Sequence, residues 1–181
     1  MAATLTLLTA EEFLADPQYE GWELLDGVPK ECRMGVKSCE TAGEVYFVIR
    51  GFLASTGLGR VFPPDLRIRI WPERPNHVRR ADVSFVSRSR AQGLADGDLT
   101  IAPDLVVEVV STHEGAAEAE AKRLDYMSAG VKLMWVIYPR TRTVHVFRPG
   151  GLAAIISSGD SLSGEDVLPG FSVPVERLFP R

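Results

Sequence analysis

The sequence predicts an α/β protein in which helices flank a mixed β-sheet. Three observations carry this. Residues 40–55 place Val45, Val48, Ile49, Phe52 and Leu53 on one helical stripe. Residues 105–110 are apolar except for Glu108, the pattern of a strand buried on both faces. Helical and strand periods then follow one another as helix, hairpin, helix, strands, helix, strands, which is not a regular βαβ repeat.

Taken in order, Thr9 precedes Ala10-Glu11-Glu12-Phe13-Leu14. Glu12 stands three residues after the threonine, so a capping box opens a short helix, and Asp16-Pro17 ends it. Trp22 to Leu25, the pair Asp26-Gly27 and then Val28 read as a β-hairpin with a two-residue turn. The helix over 40–55 stops at Gly57 and Gly59. Residues 60–70 read as a strand region broken by Pro63-Pro64, with Leu66, Ile68 and Ile70 alternating with Arg67 and Arg69. Pro72 to Asn76 is a turn. Residues 82–86 form a strand, 89–94 a short helix, and 105–110 the most buried strand. A helix spans 114–129, with Ser111-Thr112 before it and Gly130 after it. Residues 132–138 and 143–147 are two further strands around a turn. The tail carries Leu168-Pro169-Gly170-Phe171 and ends on 175–179.

The 181 residues, 45% hydrophobic and 24% charged, suit a single domain over 1–181. Only the first few residues and Arg181 read as disordered. No apolar run is long enough for a membrane span, and the N-terminus lacks the basic region of a signal peptide. A cytoplasmic location without membrane contact is therefore expected. Cys32 and Cys39 are expected to be reduced thiols, since no second Cys or His pair lies close enough for zinc. The net charge of −4 argues against a protein that coats nucleic acid through a basic surface. It leaves room for an enzyme that approaches phosphate through a metal and a few arginines. Lysine occurs only at Lys30, Lys37, Lys122 and Lys132.

The chemistry-bearing residues are Asp82, Glu108 and Lys122, in an order that metal-dependent nucleases use. A carboxylate in a buried strand is costly unless it is paired, hydrogen-bonded or bound to a cation. Strand periodicity puts Asp104, Val106, Glu108 and Val110 on one face, and Asp82, Ser84 and Val86 on one face of theirs. If the strands are neighbours, Asp82 and Glu108 converge. With a backbone carbonyl beside Glu108, that of Val109, they supply hard oxygen ligands suited to Mg²⁺ or Mn²⁺. The bland reading pairs Glu108 with Arg67 or Arg123. Lys122 shares a helix face with Gly115, Ala119, Tyr126 and Ala129, which lets it approach the sheet. Leu124, Ala121 and Ala117 form a second apolar face. The bland reading of Lys122 is a surface pair with Glu118. Glu23, between Trp22 and Leu24, is a further acidic candidate that could instead pair across its hairpin. His77, His113 and His145 show no metal-ligand spacing. There is no Gly-x-Ser-x-Gly elbow, Walker A loop or dinucleotide fingerprint.

This ordered set resembles the Uma family of putative restriction endonucleases, a branch of the PD-(D/E)XK nuclease superfamily. The resemblance runs through Trp22-Glu23-Leu24-Leu25-Asp26-Gly27, Arg80-Ala81-Asp82-Val83-Ser84-Phe85-Val86 and Pro103-Asp104-Leu105-Val106-Val107-Glu108-Val109-Val110-Ser111. It continues through Lys122, Tyr126, Gly130-Val131 and Trp135 to Leu168-Pro169-Gly170-Phe171. It implies a restriction-endonuclease-like fold and a Mg²⁺- or Mn²⁺-dependent endonuclease acting on DNA, with a homodimer as one working form. It implies Asp82 and Glu108 as metal ligands, Glu23 as an auxiliary acid and Lys122 as the catalytic lysine. In the superfamily that lysine usually follows the glutamate by two residues; here Val110 stands there, so the resemblance implies a lysine migrated to the helix. Ala81 replaces the proline before the first aspartate. Residues 38–44 lack the histidine many members carry, leaving Glu40 or Glu44 near that place. Arg67, Arg69, Arg79 and Arg80 are candidates for phosphate contacts. The alternative is a nuclease-fold module that binds nucleic acid or protein without cutting.

Overall fold

The computed structural model describes residues 7–111 and 115–180. The expected capping residue Thr112, His113 and the expected helix start Glu114 lie outside the described residues, as do residues 1–6 and Arg181. The chain runs through α1 (Ala10–Ala15), β1 (Glu23–Leu25), β2 (Val28–Lys30), α2 (Val36–Thr56), β3 (Gly59–Phe62), β4 (Arg67–Ile68), β5 (Arg79–Arg80) and β6 (Val83–Ser87). It continues with α3 (Arg88–Ala91), β7 (Leu105–Val109), α4 (Ala116–Ser128), β8 (Leu133–Tyr138), β9 (Thr143–Arg148), β10 (Gly151–Ser157), β11 (Ser161–Ser163) and β12 (Ser172–Pro174).

Local chemistry explains the early elements. The Thr9 hydroxyl accepts the Glu12 N–H at 3.2 Å, and Glu12 accepts the Thr9 N–H at 2.8 Å, so the expected capping box opens α1. Asp26 and Gly27 both take positive φ, 51° and 88°, which a two-residue turn between right-twisted strands requires. The β1–β2 hairpin follows from that turn. Gly57 ends α2 in the left-handed region, and its N–H donates to the Leu53 carbonyl at 2.8 Å.

The central sheet has the strand order β10-β9-β8-β7-β6-β3. β7 and β8 are parallel and the other neighbours antiparallel, so the sheet is mixed. One face packs on Val45, Ile49 and Leu53 of α2 and on Leu168, Phe171 and Val175 of the C-terminal segment. The other packs Val106, Met134 and Val136 against Tyr126 of α4, with Ile68 and Trp71 alongside. β7 is therefore buried on both faces. The closing segment works as a plug: Gly170 turns the chain at φ 83°, and the Phe171 ring stacks on Trp135 with centroids 5.9 Å apart.

Several expectations change. α2 begins at Val36, four residues before the expected start, behind the cap residue Gly35. The early turns bury Ser38, Thr41 and Ala42, small and polar side chains that leave no strong apolar stripe to read. The strand region over 60–70 divides. β3 joins the central sheet, whereas β4 pairs with β5 in a two-stranded ladder of its own. The Leu124 face of α4 is not a packing face, since Leu124 is 53% exposed. β10, β11 and β12 were not anticipated. Cys32 and Cys39 are both free thiols. Among the described residues, no helix is long and apolar enough to cross a membrane.

Candidate functional site

The site is built where β6, β7 and α4 meet. In the β6–β7 ladder Val83 faces Val107 and Ser84 faces Val106. Continuing that register one residue sets Asp82 opposite Glu108. β6 has ended there, and the Asp82 side chain takes over from its backbone: Oδ2 accepts the Val109 N–H at 2.6 Å. The turn before β6 and the end of β7 are thus tied by the same carboxylate.

α4 supplies the third group. Ala119 and Tyr126 are its buried residues, two turns apart, and Lys122 stands between them on that face. The small Ala119 permits close approach to the sheet. The Lys122 Nζ donates to Glu108 Oε2 at 2.8 Å, with both side chains largely buried. Glu118, the surface partner considered for Lys122, is paired with Lys30 instead. Arg123 pairs with Glu120 on the same helix, so it does not serve Glu108.

Glu23 lies within electrostatic reach of Glu108. Its oxygens are engaged: Oε2 accepts from Arg79 Nη1 at 2.8 Å, and Oε1 from the Arg80 N–H at 3.0 Å. Glu23 is thus held against the strand that leads to Asp82.

Burial pushes the Glu108 carboxyl up to about 8. Lys122 opposes that shift, while the negative charges of Asp82 and Glu23 add to it. Glu108 Oε1 is buried and makes no hydrogen bond with any described residue. The same holds for the hydroxyl of Tyr126, one turn beyond Lys122. A buried, unbonded carboxylate oxygen beside two other acids is the environment a cation relieves. Among the described residues no three His, Cys, Asp or Glu side chains are grouped to hold a metal. The oxygens available at this place are those of two carboxylates and the backbone of Val109. That suits Mg²⁺, which keeps several waters and needs only one or two carboxylates. In an extended strand the N–H and C=O of one residue point to the same edge, so the Val109 carbonyl turns toward Asp82 along with its N–H.

The sign of the Glu108 shift gives a first prediction. The folded chain keeps this proton up to about pH 8, whereas the unfolded chain releases it near 4.5. Between those values the folded state holds the extra proton, so its stability falls as pH rises. Melting temperatures of the chelator-treated protein should decline across that window. Glu108→Gln should flatten the decline, and an unchanged slope in that variant would count against the buried-carboxyl assignment.

Asp82, Val109 and Lys122 line a cleft of about 390 Å³ together with Arg80 and Cys32. The other arginines expected at phosphate are placed elsewhere. Arg79 is buried, and Arg67 pairs with Asp98 at 2.5 Å. Arg69 lies 3.4 Å from Glu11 and 3.6 Å from Asp98. Arg80 lines the cleft while donating to the carbonyls of Trp22 at 3.1 Å and Asp65 at 2.6 Å. Glu40 and Glu44 line a different cleft with Arg142 and Glu176. Nearer the site, the Ser38 hydroxyl donates to the Val110 carbonyl at 3.4 Å.

Sequence reasoning missed a buried network around Asp125. Arg79 donates to it through Nε at 2.9 Å, and His77 Nε2 lies 3.1 Å away. Arg74 Nη1 donates to its other oxygen at 2.5 Å. Burial alone would raise the Asp125 carboxyl, but hydrogen bonds from His77, Arg74 and Arg79 outweigh it and hold it far below the usual range. The available signal was Asp125 beside Tyr126 on the buried side of α4.

The structure of a putative nuclease belonging to DUF820 from Anabaena variabilis is similar over 95% of this chain and 97% of that one. The TM-score is 0.80 at 22% identity, a likeness of fold. No curated protein matches the chain. The model of the family Uma2, described as "Putative restriction endonuclease", matches residues 10–176. That match spans nearly the whole sequence, and the chain belongs to the Uma2 family.

Proposed function

We propose that this protein is a divalent-metal-dependent endonuclease that hydrolyses phosphodiester bonds in DNA. The observation that carries the reading is a cleft lined by Asp82 and Lys122 with the buried Glu108 held behind it by Lys122. Asp82 stands opposite Glu108, Glu108 has an unbonded buried oxygen, and Lys122 holds the other oxygen at 2.8 Å. Family membership and the nuclease-like fold support it.

Asp82, Glu108 and the Val109 carbonyl would hold Mg²⁺ or Mn²⁺. Such an ion, when bound, polarises the scissile phosphate and lowers the pKa of a coordinated water. Asp82, fixed by the Val109 N–H, and Glu108, fixed by Lys122, are oriented before substrate arrives. Lys122 serves as the group that orients the attacking water or offsets charge developing on the phosphate. Arg80 is the arginine of the expected set that remains at the cleft, and it positions the DNA backbone without reading sequence. Two copies acting as a homodimer would cut both strands of a duplex.

Cleavage of plasmid and single-stranded DNA with Mn²⁺, Mg²⁺ or EDTA tests this reading. Cutting is expected with either ion and not in EDTA. DNA binding that survives EDTA, with no cutting under any ion, would establish the non-cleaving binding module instead.

A further inference from the structure

We propose that Arg79, clamped between Glu23 and Asp125, is a positioning residue that sets Lys122 and Asp82 about Glu108; this rests on the roles given to those residues above. Arg79 is 2% exposed, so it contacts no substrate. Its guanidinium bonds Glu23 Oε2 through Nη1 at 2.8 Å. It bonds Asp125 Oδ2 through Nε at 2.9 Å and Nη2 at 2.5 Å. Each end of this clamp belongs to a segment that delivers a site residue. Glu23 lies on β1 and also accepts the N–H of Arg80. Arg79 stands three residues before Asp82 on the same stretch of chain. Asp125 stands three residues after Lys122, one helical turn along α4.

The clamp is braced from outside. Arg74 bridges Asp125 to Asp26, the turn residue of the first hairpin, with bonds of 2.8 and 2.7 Å to the latter. The Trp71 indole donates to the Asp125 carbonyl at 2.9 Å, which ties down the helix backbone. α4 is thus fixed in rotation and in register against the hairpin and the strand leading to Asp82.

Stability alone does not account for such a cluster. A buried ion group is commonly matched or exceeded by apolar side chains of similar volume. The surroundings here, Trp71, Tyr126 and Ile68, are already apolar. Directional bonds add what apolar packing cannot, which is a single register. A helix sliding by one residue moves Lys122 by about 1.5 Å, enough to break its contact with Glu108. Misplacement on the order of 1 Å costs about 10²-fold in rate.

The test reads Lys122 directly. The chain has four lysines, so ¹⁵N-lysine side-chain NMR of the metal-free protein gives few signals, and Lys122 is assigned by its loss in Lys122→Arg. Asp125→Asn keeps the shape and removes the charge that holds Arg79. The Lys122 ammonium signal should then move toward that of exposed Lys37. In the hydrolysis assay kcat should fall about tenfold or more with KM little changed. If Asp125→Asn does not fold, the partly exposed Arg74→Gln should give a smaller shift in the same direction. A Lys122 signal that stays in place in a folded variant, with only the melting temperature lowered, would overturn the proposal. If the wild type cuts no DNA, the endonuclease reading fails while the NMR result still decides the clamp.

Discussion

Asp82→Asn is expected to abolish divalent-ion binding and DNA cleavage while leaving the fold intact. Asparagine keeps an oxygen in place for the Val109 N–H, which Asp82 now bonds at 2.6 Å. It removes the charge a hard cation requires. Cleavage should drop on the order of 10³-fold or more. Asp82→Ala should do the same to activity and also orphan the Val109 N–H, costing about 1–3 kcal/mol. Calorimetric titration with Mn²⁺ checks the first part, and thermal melts separate the two variants. Equal ion affinity in wild type and Asp82→Asn would remove Asp82 from the ligand set. Glu108→Gln should lose ion binding as well, because an amide cannot supply the anionic oxygen that Oε1, buried and without a hydrogen bond, would offer a cation.

Lys122→Ala should separate chemistry from ion binding. Lysine is not a ligand, so Mn²⁺ should still bind by displacing the Glu108 proton, more weakly at low pH, while turnover falls by about 10²–10⁴-fold. The cost in stability should be smaller than the several kcal/mol usual for breaking a buried pair. Glu108 has an escape route, since burial already pushes its carboxyl up to about 8 and loss of Lys122 only pushes it further. A protonated Glu108 leaves no unpaired buried charge. In Lys122→Arg turnover should fall too, because the planar guanidinium cannot occupy the position of a compact ammonium 2.8 Å from Glu108. Full activity in Lys122→Ala would reduce the pair to a structural contact. Simultaneous Lys122→Met and Glu108→Gln should then be well tolerated in stability.

The alternative pairings of the site residues show where local reasoning reaches its range. Lys122 had two carboxylates to choose from, Glu118 on its own helix and Glu108 on a strand. Propensity rules favour the helical neighbour, yet Glu118 pairs with Lys30 of the first hairpin. The packing of Ala119 and Tyr126 against the sheet decides the matter, because it turns Lys122 inward. Arg79 and Arg80 read alike in sequence as a basic pair. Adjacent strand residues face opposite ways, and so Arg79 enters the buried network while Arg80 reaches the cleft.

What the sequence by itself determined was whatever depends on neighbours within a turn or a strand. The Thr9 and Glu12 capping box, the Asp26-Gly27 turn, the stripe of Val45, Ile49 and Leu53, and the buried run around Glu108 all belong here. Each is written in spacings of a few residues, and the run around Glu108 marks the place of a site residue along the chain. Tertiary structure alone decided the rest. The β6–β7 register set Asp82 across from Glu108, and the packing of α4 gave Lys122 to Glu108. The Asp125 network drew together β1, β5 and α4. β10, with Gly151 and two alanines, is a strand because β9 offers it a ladder, not because its residues favour one. Apart from the β9–β10 hairpin, these outcomes depend on contacts between residues distant in sequence, from 14 positions for Lys122 and Glu108 to 56 for Glu23 and Arg79. Such contacts are fixed by which buried surfaces meet and which buried charges pair, and neither choice of partner leaves a period in the sequence.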